Sequence, residues 1–273
     1  METSLAKLGI SDWNETLIEH VAAAVAVQSL EQNGPPGSGD LLKRTMVNRG
    51  LAMVPFLMQA LSAYEKNRTP ITVEDYLKSR PVASPLRLLD SVMYCDGGNG
   101  LIVTTAERAR KMGVKRPVFP VAYSEITNFN GREMTPDITE TGFSVAGPEA
   151  LKKAGMSAAD IKMFHPYDDF LIAELLQLEQ IGFCGRGEGS QFLLDTDLSF
   201  KGKLPINTGG GQISAGQPGL AGGGLNLTEA VRQLMGEAGE RQVAGANNAM
   251  VTGIGVIPYA RNWGSSSVLI LEA

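Results

Sequence analysis

Hydrophobic positions recur along this chain in two ways. Some segments repeat them every three to four residues, and others carry short continuous runs. The alternation of the two predicts strands interleaved with helices, an α/β protein. Residues 5–30 have helical spacing, with Ser11 or Asp12 as N-cap. "NGPPGSGD", 33–40, breaks that helix as a turn or short linker. Helical spacing resumes over 41–65, where Pro55 demands a kink or two helices. Thr72 predicts the N-cap of a short helix that Pro81 and Pro85 end. "GNGLIVTTAERARKMG" predicts a buried strand over 100–104, then a helix stopped by Gly113. "RPVFPVAYSEITNF" reads as β-rich, its prolines suited to strand ends. Next come a helix, a turn, a short strand over 161–164 and a strong helix from Asp168. A Gly-rich stretch, 205–224, runs into the helical "LNLTEAVRQLMGEAG", and two apolar strands around a polar loop close the chain.

Composition narrows the function classes. The 273 residues carry a formal net charge of −5 and no run of Lys and Arg that could track a phosphate backbone, which argues against a nucleic-acid partner. The longest apolar run near the start, "VAAAVAVQSL", is too short to span a bilayer, and the first twenty residues lack the order of a signal peptide. A cytoplasmic protein is expected. Cys95 and Cys184 stand far apart without metal-ligand spacing, so two buried free thiols and no metal site are expected.

"PINTGGGQISAGQPGLAGGG" invites a phosphate reading, but a phosphate-binding loop of the GxxxxGK[ST] type needs a Lys, and none follows Lys203. A dinucleotide fingerprint fits no better, because it requires GxGxxG directly after a strand. Glycine this dense instead suits close backbone approach to some other ligand.

Three stretches, in order, resemble the thiolase superfamily, specifically the sterol-carrier-protein-type thiolases. They are "SPLRLLDSVMYCDGGNGLIVTTAERAR", "IKMFHPYDDFLIAELLQLEQIGFCGRGEG" and "LPINTGGGQISAGQPGLAGGGLNLTEAVRQLMGEAGERQV", and the likeness runs over 71–273. It implies a thiolase-like fold of layered helix, sheet and helix: a remnant of the N-terminal half with a helical loop region over 1–110, and a C-terminal thiolase-like domain over 111–273. The earlier part of the family's fold has no counterpart here, so either the chain is a fragment or a separate chain completes it. A homo- or hetero-oligomer is expected. The resemblance further implies a coenzyme A thioester as substrate, with no covalently bound cofactor, approached by a loop containing Gly210, Gly211 and Gly216.

The family's working groups, carried over one at a time, are replaced. The His of its "GHP" motif falls on Gln217, which cannot take a proton near neutral pH. The second Cys falls on Gly253, the oxyanion-water residue falls on Tyr167, and the nucleophilic Cys has no counterpart. Chemistry through an acyl-cysteine therefore has no thiolate. Some relatives in the superfamily lack that Cys and cleave carbon–carbon bonds by retro-aldol chemistry through tyrosines, alongside a zinc-ribbon and OB-fold partner protein. Tyr167 and Tyr259 are the phenols available here. The plain alternative for each is an interfacial ring with a satisfied hydroxyl.

His165, off the family motif, is a candidate for touching substrate. Asp168 matches the family's "HD" aspartate and is expected to orient the loop, Asp169 to be solvated at a helix start, and Asp96 to tie down a turn. Three functions follow: a Cys-independent acyl-CoA aldolase, a degenerate subunit that binds acyl-CoA or scaffolds a complex, and an acetyl-CoA acetyltransferase completed by another chain.

Overall fold

The computed structural model describes residues 73–92, 95, 97–130, 139–255 and 264–273. The helices expected over 5–30 and 41–65, the turn between them, and Thr72, Asp96 and Tyr259 lie outside the described residues.

A four-stranded sheet organises the chain. Strands β3 (Phe119–Thr127), β4 (Phe164–His165), β5 (Asn248–Ile254) and β6 (Ser265–Glu272) lie in the order β3-β6-β5-β4. β6 runs antiparallel to both β3 and β5, and β4 runs parallel to β5. β5 and β6 take the centre because "NAMVTGI" and "SSSVLILE" are apolar enough to be covered on both faces. β3 is the outer strand, where Pro120 removes a donor at little cost, and its register shifts between Pro120 and Ala122.

Residues alternate between two cores. Met250, Val268 and Ile270 face α3 (Phe143–Ala154) and α4 (Leu171–Ile181), while Ala249, Val251 and Leu271 face α7 (Gly222–Met235). The result is the layered helix–sheet–helix arrangement that the sequence implied. Gly147 sets the spacing of α3 on α4, since a Cβ there would lie 2.8 Å from Ile181 Cγ1.

The preceding segment comprises α1 (Val73–Lys78), β1 (Pro81–Ala83), β2 (Leu86–Arg87) and α2 (Ala106–Lys111), the last capped by Thr105. It is tied to the sheet domain by Leu86, which packs with Phe170, Ala173 and Leu176, and by a bridge between Ser91 and Phe170. Val92 N donates to Asp169 O at 3.0 Å, Cys95 N to Gln217 O at 3.2 Å, and Asn99 Nδ2 to Ala221 O at 3.0 Å. "CDGGNG" thus runs beside the Gly-rich loop. Two short helices complete the order, α5 (Gly189–Asp195) and α6 (Gly211–Ala215).

Four local expectations are corrected. Residues 100–104 form no strand: Ile102 is 86% and Val103 92% exposed, and no described strand offers them a ladder. The strand expected over 161–164 is displaced to Phe164–His165, after which Pro166 has no N–H to continue. The helix expected from Asp168 begins at Leu171, because Phe170 before it is extended, with φ −138° and ψ 141°. Cys95 is exposed and Cys184 half-buried, so neither is a core thiol. Among the described residues no helix is long and apolar enough to cross a membrane.

Candidate active site

Tyr167 sits where β4 has ended and α4 has not begun, and its backbone is held from both sides. Its N–H donates to Thr252 Oγ1 on β5 at 2.9 Å, and its carbonyl accepts from Gln177 Nε2 on α4 at 2.8 Å. The Thr252 hydroxyl donates in turn to Gln177 Oε1, which closes the clamp. The ring lies against Gly223 at the start of α7, and the residue is buried.

Gln217 reaches this phenol from the Gly-rich loop. Its Nε2 donates to Tyr167 Oη at 3.0 Å and to Gln212 Oε1 at 2.9 Å. Gln212 thereby turns the NH₂ end of Gln217 towards the phenol oxygen, where it stabilises negative charge on that oxygen. The two glutamines fit only because α7 opens with glycine: a Cβ on Gly222 would lie 2.3 Å from Gln212 Oε1 and 2.7 Å from Gln217 Cγ.

Asp168 holds the loop in shape. Its carboxylate accepts from Gln212 N at 2.9 Å, Ile213 N at 3.1 Å and Asn226 Nδ2 at 3.3 Å. It thus satisfies the first N–H groups of α6 rather than those of α4. The price is desolvation, which pushes its carboxyl up to about 6 against the pull of these hydrogen bonds. Gly211 is obligatory beside it, with φ +59° and a Cβ position 2.0 Å from Asp168 Oδ2. Asp169, expected in solvent, is buried. Beneath both, Glu174 Oε1 accepts from Asn207 Nδ2 at 2.8 Å, and burial, then the Asp168 charge, pushes its carboxyl well above the usual range.

The site residues anticipated from sequence are thus partly gathered. Tyr167, Gln217, Asp168 and Gly211 converge, and Gly210 and Gly216 flank α6 within the same loop. Gly253 lies on β5 beside Ser267, one residue past the Thr252 that holds Tyr167, and extends no side chain. His165 lines a cavity of about 340 Å³ with Asn207, Glu229 and Arg241, which Gly211 and Asn226 also border. Sequence reasoning missed Gln212, Gln177, Thr252, Asn226 and Gly222. Gln212 alone had a readable signal, a second glutamine five residues before the first across a short helix.

Burial holds the His165 imidazole down to about 4 from an ordinary 6.5, opposed in part by the Glu229 carboxylate. The unfolded chain therefore binds this proton first. Stability present above pH 6.5 is lost as pH falls towards 4, by about 3 kcal/mol. Asp168 works in the opposite sense, its raised value costing stability as pH rises from 3.8 towards 6. Denaturant unfolding of His165→Gln isolates the first contribution. Relative to the parent, the variant is expected to gain about 3 kcal/mol between pH 6.5 and pH 4. A difference that stayed constant with pH would mean that water reaches the ring.

Residues 125–272 match the thiolase C-terminal domain-like family. The chain belongs to that family. It is 38% identical over 197 residues to a 17-hydroxy-3-oxo-4-pregnene-20-carboxyl-CoA lyase of Mycobacterium tuberculosis, covering 68% of this chain and 49% of that protein. It is 36% identical over 186 residues to an acetyl-CoA acetyltransferase of Methanothermobacter thermautotrophicus, covering 68% and 48%. The solved Ltp2-ChsH2(DUF35) aldolase superposes with a TM-score of 0.66 at 27% identity, over 95% of this chain and 64% of that one. The chain spans about half the length of the curated relatives it matches. In this thiolase-like chain, the glutamine pair and the phenol occupy the loop and turn where the resemblance placed the family's histidine and oxyanion residue.

Proposed function

We propose that this thiolase-like chain acts on a carbon–carbon bond of an acyl-CoA by retro-aldol chemistry, with Tyr167 as the working phenol. The observation that carries the reading is the 3.0 Å hydrogen bond from Gln217 Nε2 to Tyr167 Oη. A glutamine there cannot deprotonate a thiol, but it favours a phenolate oxygen that can accept a proton. Gly253, with no side chain, supplies no second cysteine.

In the reaction, the Tyr167 phenolate takes the proton of a β-hydroxyl on the acyl group. The Cα–Cβ bond breaks, the oxygen's electrons form a ketone at Cβ, and the bond's pair passes into the thioester as an enolate. Protonation at Cα, by the phenol just formed, releases the shortened acyl-CoA and restores the phenolate. Gly210, Gly211 and Gly216 shape the loop against which the thioester lies. The names of the two aldolase-type relatives, a CoA lyase and an aldolase with a second component, support the reading. Coenzyme A is substrate, and no covalent cofactor is required. A zinc-ribbon and OB-fold partner, a homo- or hetero-oligomeric assembly and a cytoplasmic location belong to the same proposal.

The test uses the protein purified from its own host together with whatever accompanies it. A tertiary β-hydroxy acyl-CoA should be cleaved to a ketone and a shorter acyl-CoA, while a 3-oxoacyl-CoA should be left untouched. Cleavage of the 3-oxoacyl-CoA alone would instead favour a thiolase completed by another chain. Turnover of neither would leave a binding or scaffolding subunit.

A further inference from the structure

Helix α7 meets the candidate site along one face of its first turns, where Gly222, Gly223 and Asn226 stand three and four residues apart. Gly222 leaves room for the two glutamines, and a Cβ on Gly223 would lie 3.6 Å from Cε2 of the Tyr167 ring. Asn226 is the first residue on that face with a polar side chain. It is 2% exposed, so its amide must find its partners inside the protein.

Those partners stand on either side of Tyr167. Asn226 Nδ2 donates to the carbonyl oxygen of Pro166 and to Asp168 Oδ1. A single NH₂ group thus grips the residue before the phenol and the residue after it. Asn207 Nδ2 donates to the same Pro166 carbonyl at 3.1 Å and to Glu174 Oε1 at 2.8 Å, which ties the turn to α4. Thr252 and Gln177 tie the N–H and carbonyl of Tyr167 itself to β5 and α4. Asn226 adds the tie to α7, the helix on which the ring rests.

That tie matters because Gln217 takes its place from the same helix. Its Cγ would lie 2.7 Å from a Cβ on Gly222, and its Nε2 reaches Tyr167 Oη at 3.0 Å. Phenol and amide are therefore both referred to the start of α7, one through Asn226 and the other through contact at Gly222. Without the Asn226 amide, β5 and α4 still hold the turn on the sheet, but its distance from α7 and Gln217 is no longer fixed. Misplacing a reacting group by about 1 Å can cost about 10²-fold in rate.

We infer that Asn226 is a positioning residue, which holds the turn bearing Tyr167 against α7 and so aims the phenol at the bond it serves. Its effect on rate rests on the aldol reading. Its effect on the ring does not, and the test reads the two separately.

The chain has six tyrosines, so the whole protein isotope-labelled at the tyrosine Cζ gives six signals, of which Tyr167→Phe assigns one. Gln217→Met supplies the position of the Tyr167 signal without its amide donor. Asn226→Leu, close in size, is expected to move the Tyr167 signal towards that reference. It should also lower kcat for a tertiary β-hydroxy acyl-CoA by up to about 10²-fold, with KM within about twofold of the parent. Asn226→Gln keeps an amide and should recover part of both. The control for lost stability is Gln180→Met, which breaks hydrogen bonds to Thr139 and Thr141 at the far end of α4 and should leave signal and kcat in place.

A Tyr167 signal that stays put in Asn226→Leu overturns the inference, and so does an equal shift in Gln180→Met. A shifted signal with parental kcat overturns it as well, because the aim of the ring then has no bearing on the reaction. Should Asn226→Leu not fold, Asn226→Gln decides, with a smaller shift in the same direction expected and no shift overturning the inference. If the parent turns over no substrate, the aldol reading fails, and the signal alone decides whether Asn226 places the ring.

Discussion

Tyr167→Phe is expected to lower kcat for a tertiary β-hydroxy acyl-CoA by about 10²–10⁴-fold, the usual contribution of a positioned proton-transfer group, with little change in KM. The reason is local. The ring keeps its place because the backbone, not the hydroxyl, is what Thr252 and Gln177 hold. Loss of Oη strips Gln217 of one acceptor and leaves its bond to Gln212, so stability should fall by only about 1 kcal/mol. Steady-state kinetics paired with denaturant unfolding separate the two effects. A variant that turned over at the parental rate would remove the phenol from the mechanism and leave its hydroxyl as a structural contact.

Gly211→Ala is expected to be the most damaging single methyl in the loop, costing about 3 kcal/mol or more. Two terms add. The residue has φ +59°, which costs an L-residue about 1–2 kcal/mol. The new Cβ would also stand 2.0 Å from Asp168 Oδ2 and 2.9 Å from Asn207 Nδ2, forcing apart the carboxylate that caps α6 and an amide beside it. Gly239→Ala is the matching control. It has φ +61° and nothing within 4 Å of the Cβ position, so only the backbone term should appear. Chemical denaturation of the two variants measures the difference. Equal losses would mean that Asp168 yields freely and does not clamp the loop.

Elements whose pattern and end signals agreed were legible. α2 stops before Gly113, α7 lies on the helical run after the Gly-rich stretch, and β5 and β6 are the two closing apolar runs. Where pattern alone was available, it misled. "GLIVTT" has strand composition, yet a strand exists only where a neighbour supplies its ladder, and none of the described strands does so. Asp169 looked like a solvated charge at a helix start, but it is buried, while Asp168 meets α6, 44 positions further along the chain.

The candidate site divides along the same line. The resemblance to the thiolase superfamily, carried by local motifs in order, is what grouped Tyr167, Gln217, Asp168 and the glycine loop before any coordinates. The absence of any base at position 217 likewise needed no coordinates. Only the tertiary structure decided which amide faces the phenol, that Gln212 orients it through Gln217, and that His165 belongs with Glu229 and Arg241 rather than with Tyr167. Hydrogen-bond direction and burial depend on groups from distant segments meeting within about 3 Å. No local pattern of side chains encodes such meetings, and packing the sheet between α7 and the α3–α4 pair is what brings them about.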